Sequence, residues 1–300
     1  MEEEVTGLVT VEKVSGKSTA TRCFSKYPLK LILPNKVGSS HADVVWIYTL
    51  SYGGGIVSGD RIVCRINVGD GCTVALTTQA STKVYKSVGS KCSEQVLEAR
   101  IGRDALLAVI PDPVTCFSTA RYSQKQVFRL FPDSNLVIVD WVTSGRYESG
   151  EKWEFELYKS TNHILLAEDQ PLFLDAVLLE QGSSTTIAER MQEYNVIAMI
   201  IILGPKLKHV QNQIQDEVKK VMSGHFHHPI STGGQYSRSE SQQGHKPPVI
   251  ASCSSFGPQA IGVVVRVAAM TTESVYMFLR QHISALEPFL GASPYCQSGR

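Results

Sequence analysis

The sequence has no apolar run that could cross a bilayer. The longest, Val196–Leu203, falls far short of the ~20 residues that a spanning helix needs. It has no block of one charge either: 29 Lys and Arg stand against 28 Asp and Glu, for a formal charge of +1. A phosphate backbone would therefore meet no basic face, which argues against nucleic-acid binding. The seven cysteines (Cys23, Cys64, Cys72, Cys92, Cys116, Cys253 and Cys296) are odd in number and scattered, with no Cys-x-x-Cys pair. That spacing excludes a disulfide framework and a cysteine zinc site, and predicts reduced thiols. The opening Met1-Glu2-Glu3-Glu4 lacks the basic and apolar stretches of a secretory leader. A cytoplasmic chain without a membrane anchor is the expectation.

What is present is alternation. Ile62, Cys64, Ile66 and Val68 alternate with more polar neighbours, Gly69-Asp70-Gly71 follows, and Val74, Leu76 and Thr78 resume one face. Asp-Gly between alternating runs predicts a hairpin. Trp153, Phe155 and Leu157 predict another strand. Val44 to Leu50 and Leu136 to Val139 are apolar on both parities, as in strands covered on both faces. Helical spacing comes late. Leu207, Val210, Ile214, Val218 and Val221 predict one helix, with Pro205 near its start and Gly224 past its end. Val275, Leu279, Ile283, Leu286 and Leu290 predict a second, capped by Thr272 and closed by Gly291. With 43% hydrophobic residues over 300 positions a sizeable core is possible. The expected fold is mostly β, a single domain over 1–300 with two helices toward the C-terminus. Residues 223–259, rich in Ser, Gly, Gln, His and Pro, read as a flexible polar insert. No internal repeat of fixed period is visible.

The usual catalytic patterns fail. Gly53-Gly54-Gly55-Ile56-Val57-Ser58-Gly59-Asp60 is not a phosphate loop, because Asp60-Arg61 stands where Lys and Ser/Thr are needed and Ser58 replaces a dinucleotide-loop glycine. A tight glycine turn explains it, and no GTP binding is expected. There is no Gly-x-Ser-x-Gly elbow and no His-Glu-x-x-His. Glu148 and Glu151 could do acid/base work in a β-rich hydrolase, or form surface ion pairs with Arg146. Cys116 reads as a buried thiol rather than a nucleophile. His225, His227 and His228 could bind nickel, zinc or copper weakly, as in a metal-storage or metal-sensing protein, or be solvated loop residues. From the residues alone, the chain is a mostly β protein without a recognisable catalytic constellation.

Five blocks in order resemble the urease accessory protein D family (UreD, called UreH in some bacteria). They are Gly53–Gly55 with Gly59-Asp60-Arg61; Thr77-Thr78-Gln79-Ala80 with Lys83; Pro111-Asp112-Pro113 with Phe117 and Gln124; Asp140-Trp141 through Ser144-Gly145-Arg146 and Gly150-Glu151-Lys152-Trp153; and Val263-Val264-Val265-Arg266. The long polar insert resembles plant members. The resemblance implies a right-handed β-helical or layered β architecture. It implies no catalysis by this chain, but a chaperone that holds apo-urease with a helical accessory protein F and a GTPase, accessory protein G. Nickel would be handled transiently, with no tightly bound cofactor. Strand alternation puts Asp140 on the face of Leu136 and Ile138, where an unsatisfied carboxylate costs several kcal/mol. Two answers stay open: an Asx-type bond to Thr143 and Ser144, or a polar interior lane for nickel with Asp60, Gln79, Glu151 and Asp175 as companions.

Overall fold

The computed structural model describes residues 4–34, 37, 42–166, 169–226 and 247–295. Numbered in chain order, the strands are β1 (Gly7–Val14), β2 (Lys17–Ser25), β3 (Leu29–Ile32), β4 (Val45–Ser51), β5 (Arg61–Val68), β6 (Thr73–Thr78), β7 (Thr82–Val84), β8 (Ser93–Ile101), β9 (Leu106–Val109), β10 (Val114–Cys116), β11 (Arg121–Leu130), β12 (Asn135–Thr143), β13 (Leu157–Leu166), β14 (Gln170–Glu180), β15 (Val196–Leu203), β16 (Val249–Phe256) and β17 (Gly262–Ala269). The helices are α1 (Ile187–Met191), α2 (Lys208–Phe226), α3 (Thr272–Ile283) and α4 (Glu287–Leu290). No helix among the described residues is long and apolar enough to cross a membrane.

Two sheets face each other. One runs β14-β13-β11-β8-β5-β1-β2; the other runs β16-β17-β15-β12-β9-β6-β4-β3, with β7 and β10 attached beside β12. Their middles are parallel: β5, β8, β11 and β13 in one, β4, β6, β9 and β12 in the other. The chain alternates between sheets, so each circuit stacks on the last as in a solenoid. Thr73, Leu106 and Asn135 stand in register at spacings of 33 and 29 residues. Circuits of unequal length explain why no fixed period shows in the sequence.

The expected hairpin at Gly69-Asp70-Gly71 does not form. β5 and β6 belong to different sheets, and the turn is a corner whose bonds go to neighbouring circuits. Gly69 N–H donates to Val11 O at 2.8 Å and Gly71 N–H to Arg103 O at 2.8 Å. Asp70 Oδ1 accepts from Arg103 N–H at 2.7 Å. Asp-Gly supplies the positive φ (Gly71, 66°) in either context. Trp153 and Phe155 are buried but lie before β13 rather than in it, and Trp153 takes a positive φ of 58°.

Two apolar layers result. Leu136, Ile138 and Val142 of β12 pack between the sheets, while Val137, Val139 and Trp141 pack under the helices. Every residue of β12 is buried, the reason both parities are apolar. Leu207, Val210, Ile214 and Val218 of the α2 region and Val275, Leu279 and Ile283 of α3 are buried in the second layer. α2 runs through Gly224 to Phe226, so Gly224 does not end it. Thr271, not Thr272, caps α3, accepting from Ser274 N–H at 3.2 Å. The apolar stripe is broken by a 3-10 turn at Ser284–Leu286 before α4, because Pro288 has no N–H to give Ser284 O. Leu286 and Leu290 remain fully buried.

The polar insert is narrower than 223–259. Its first residues end α2 and Val249–Phe256 is a strand. Small polar residues mask that strand in sequence, since it lies at a sheet edge. Residues 227–246, with His227 and His228, lie outside the described residues, as does the side chain of His225.

Candidate functional site

Glycines and threonines of the first blocks serve the stacking of circuits. Gly53, Gly54 and Gly59 hold φ of 73°, 77° and 83°. Gly55 is extended, but a Cβ there would lie 2.8 Å from Lys83 O. Ile56 N–H donates to Lys83 O at 2.8 Å, Tyr85 N–H to Ile56 O at 2.9 Å, and Tyr85 O–H to Gly53 O at 3.2 Å. Asp60 closes the turn, accepting from Val57 N–H at 2.9 Å. One circuit further on, Thr77 O–H donates to Ile110 O (2.8 Å) and Thr78 Oγ1 accepts from Asp112 N–H (2.8 Å). Thr82 N–H donates to Pro113 O at 2.9 Å. Trp141 Nε1–H and Tyr295 O–H both donate to Pro111 O, at 2.9 and 2.7 Å, and Tyr276 O–H to Asp112 at 2.8 Å. The blocks are thus successive turns at one side of the stack, spaced as the circuits are.

The next block forms a clamp. Ser144 N–H donates to Asn195 O at 2.7 Å, and Gly145 holds a φ of 123°, with Cys116 O 3.2 Å from where a Cβ would stand. Arg146 Nε–H donates to Glu151 Oε2 at 3.0 Å, its Nη2 pairs with Oε1, and its guanidinium lies 4.2 Å over Phe117. The Arg146 bond holds the Glu151 carboxyl below the usual range despite burial. Glu148 is exposed in the adjoining 3-10 turn. The two carboxyls thus lie in different surroundings, Glu151 buried and ion-paired and Glu148 exposed. Burial pushes the Cys116 thiol up, which makes it a core residue and a poor nucleophile.

Asp140 is satisfied in a third way, by neither Thr143 nor Ser144. It faces between the sheets, and β11 and β13 supply its partners. Gln124 Nε2–H donates to Oδ1 at 3.1 Å; Ser160 O–H and Asn162 Nδ2–H donate to Oδ2 at 2.5 and 2.8 Å. Tyr158 O–H stands 3.5 Å from Oδ1. Tyr122 O–H links Gln124 Oε1 (3.1 Å) to Gln95 Oε1 (2.9 Å). These partners are all uncharged. Burial, partly opposed by the three hydrogen bonds and reinforced by the Asp175 charge, raises the Asp140 carboxyl above its ordinary value. Asn162 is fully buried, and its Oδ1 has no partner among the described residues.

The network lies on register rows of the seven-stranded sheet. Gln95, Gln124, Ser160 and Val177 form one row; Leu97, Gln126, Asn162 and Asp175 form the next. Asp175 accepts from Arg266 Nη2–H at 2.6 Å, across the gap from β14 to β17. A cavity of about 580 Å³ opens there, lined by Asp140, Asp175, Arg266, Met199, Val177 and Ile250. A separate gap of about 60 Å³ shares the Asp140 wall and is lined also by Gln124, Gln126 and Gln95. A third, of about 300 Å³, begins at Gln95 and Thr82 and reaches Gly54, Gln79 and Lys83. Of the residues expected in a lane, Asp140, Asp175 and Gln79 line this series of spaces. Asp60 and Glu151 do not: one closes a turn and the other an ion pair. Among the described residues no three His, Cys, Asp or Glu gather as a closed metal site.

Ser160, Asn162 and Gln95 were missed from sequence. Their signal is polar residues recurring at the inward parity of alternating strands, readable only once strand register is known.

A family model described as UreD urease accessory protein matches residues 6–298. The chain belongs to the UreD urease accessory protein family. Among its relatives, "Urease accessory protein D" of Oryza sativa subsp. indica is 68% identical over 291 residues, 97% of this chain and 95% of that protein. The Arabidopsis thaliana protein of the same name is 62% identical over 97% of this chain and 99% of its own. "Urease accessory protein UreD" of Anaeromyxobacter sp. (strain Fw109-5) is 32% identical, with 97% and 89% covered. UreD membership accounts for the ordered blocks, which the structure shows as turns and strand segments of successive circuits and, at Val263–Arg266, as part of β17.

Proposed function

We propose that this chain is a non-catalytic assembly chaperone that binds apo-urease and, with a helical accessory protein F and a GTPase accessory protein G, supports nickel insertion. The carrying observation is Asp140, a buried carboxylate whose partners are all uncharged, set where two interior spaces meet. Oxygen donors hold a borderline divalent ion more loosely than imidazole or thiolate would. Asp140, with Asn162 Oδ1, Ser160 and Gln124 around it, offers such donors in succession rather than as a closed cage. Loose, successive contacts let an ion move on; a complete tetrahedral or octahedral set would retain it. Asp175 is already paired with Arg266, whereas Asp140 has only uncharged partners. GTP hydrolysis belongs to the partner on this reading, in keeping with a glycine turn whose Asp60 is bonded back to Val57.

Asp140→Asn tests it. Complexes with apo-urease and the accessory proteins are expected to form normally, while nickel-dependent activation slows several-fold at limiting nickel and recovers at high nickel. Normal activation at every nickel level removes Asp140 from the lane. Loss of the complex assigns the residue to structure alone.

A further inference from the structure

The seven-stranded sheet turns one face to the other sheet and the second face outward. On the outward face β5 and β8 carry a charge pattern. Arg61 lies in register with Glu94 and pairs with it at 3.2 Å; Arg65 lies in register with Glu98 and pairs with it at 2.9 Å. At the end of the strands the pattern breaks. Asn67 stands in register with Arg100, and Arg100 with Arg129 of β11. Thr10 of β1 completes the row. Val11, Val68, Ile101 and Leu130, the next row, are buried between the sheets, so alternation sends Thr10, Asn67, Arg100 and Arg129 outward.

Neighbouring strands lie about 4.8 Å apart, and like charges directly opposite each other destabilise a sheet. Arg129 is partly compensated, its Nε–H donating to Asp169 Oδ1 at 2.6 Å. Arg100 has no hydrogen-bond or ion-pair partner among the described residues. Folding gives no reason for arginine at position 100 of a strand that meets its other arginine neighbours with Glu94 and Glu98.

Over this row opens a hollow of about 320 Å³, lined by Thr10, Glu12, Asn67, Asp70, Arg100 and Arg129. Its two ends differ. At the β8 and β11 end stand Arg100 and Arg129, with the Arg103 guanidinium close by, 4.7 Å over the ring of Phe131. At the β1 end stand Thr10 and Glu12, whose Oε2 accepts from Thr21 O–H at 2.6 Å. Asp70 is engaged at its corner, Oδ1 accepting from Arg103 N–H at 2.7 Å. No residue of this hollow lines the spaces around Asp140, so what it binds is independent of the maturation reading.

Two adjacent guanidiniums call for a group of charge about −2, which a phosphate monoester carries at neutral pH. Its oxygens also meet the guanidinium fork two at a time. A single carboxylate would leave one cation uncompensated. At ~30 Å³ per water the hollow holds about ten waters, enough for a phosphate with a short carbon chain or ring attached. Glu12, Thr10 and Asn67 at the far end accept hydrogen bonds from hydroxyls, and Glu12 repels a second anion.

We propose that this hollow binds a small phosphorylated polyol, with the phosphate on Arg100 and Arg129 and the hydroxyls toward Asn67, Thr10 and Glu12.

The test is calorimetric titration of the full chain, in phosphate-free buffer, with glycerol phosphate and ribose phosphate, against glycerol, ribose and inorganic phosphate. One of the esters is expected to bind once per chain with a Kd of about 1 mM or tighter, inorganic phosphate more weakly, and the phosphate-free polyols not at all. Arg100→Gln should weaken the ester by about ten-fold or more, as loss of a hydrogen bond to a charged group does. Its melting temperature without ligand should equal or exceed the parent's, because the repulsion from Arg129 is gone. Arg65→Gln, which breaks a pair on the same face, should leave binding unchanged. Equal ester affinity in Arg100→Gln, binding that does not saturate, or inorganic phosphate binding as tightly as the esters overturns the proposal. Binding to phosphatidylglycerol vesicles without binding of the free esters would make the ligand a lipid headgroup and overturn it too. So would binding that appears only in Glu168→Gln, since the chain's own carboxylate would then occupy the site.

Discussion

Asp140 makes a prediction about stability that does not involve nickel. Its carboxyl is raised above the ordinary value of about 3.9, with burial as the largest cause. The folded state therefore holds that proton more tightly than the unfolded chain. The stability this contributes is fully present below the unfolded value and is lost as pH rises through the folded one. For a single proton the loss has a limiting slope of about 1.4 kcal/mol per pH unit. Asp140→Asn removes the titration. It also replaces one acceptor by a donor facing Gln124 Nε2, which lies 3.1 Å from Oδ1. Flipping the Gln124 amide relieves this at the loss of its bond to Ser160 Oγ (3.2 Å), while Tyr122 O–H keeps Gln95 Oε1 as acceptor at 2.9 Å. Without the flip, one opposed donor pair costs about 1–3 kcal/mol at every pH. The offset is thus constant and the pH-dependent part belongs to the carboxylate. Denaturant unfolding of the two proteins from pH 4.5 to 8 measures the difference, in which all other titrations cancel. The stability of Asp140→Asn relative to the parent is expected to rise with pH and then level off. A difference that falls with pH would refute the reasoning, since it would mean that Gln124, Ser160 and Asn162 stabilise the anion by more than burial costs it.

Other perturbations follow from the packing. Leu286→Asp puts a charge where the side chain is fully buried; a loss of about 3–5 kcal/mol is expected, and an unchanged melting temperature would contradict the second apolar layer. Gly55→Val places a Cβ 2.8 Å from Lys83 O and Gly54→Val forces a φ of 77° on a branched residue; both should lower soluble yield, the second by about 1–2 kcal/mol of backbone strain, and full stability at both positions would show the turn to be tolerant. Replacing residues 227–246 by a short Gly/Ser linker should leave the melting temperature and urease activation nearly unchanged, because loop closure depends weakly on length; loss of activation in a well-folded variant would give His227 and His228 a metal-handling role.

Much of this protein was legible before its structure. The period of two, the doubly apolar run at Leu136 to Val139 and the late stripe from Val275 to Leu290 identified a β fold with buried central strands and helices near the end, because burial selects side chains locally, residue by residue. The five ordered blocks indicated the family. The inward parity of Asp140 followed from alternation alone. Strand partnership did not follow. Gly69-Asp70-Gly71 has the chemistry of a hairpin turn and serves as a corner between sheets, since a positive φ is needed in both and only the destination of the hydrogen bonds differs. For the same reason Thr143 and Ser144 stood as one of two open answers for Asp140, whereas its hydrogen-bond partners lie 16 to 22 residues away on strands of the other sheet. Asp60 and Glu151 looked equivalent to Asp140 and Asp175 as carboxylates; the stacking of circuits sends one pair into turn and clamp and the other to the interior. The sequence by itself determined which apolar faces are buried and that the Gly53–Gly59 segment is a tight turn. Only the tertiary structure decided which of them meet, because contacts between circuits depend on a register that no short stretch of chain encodes.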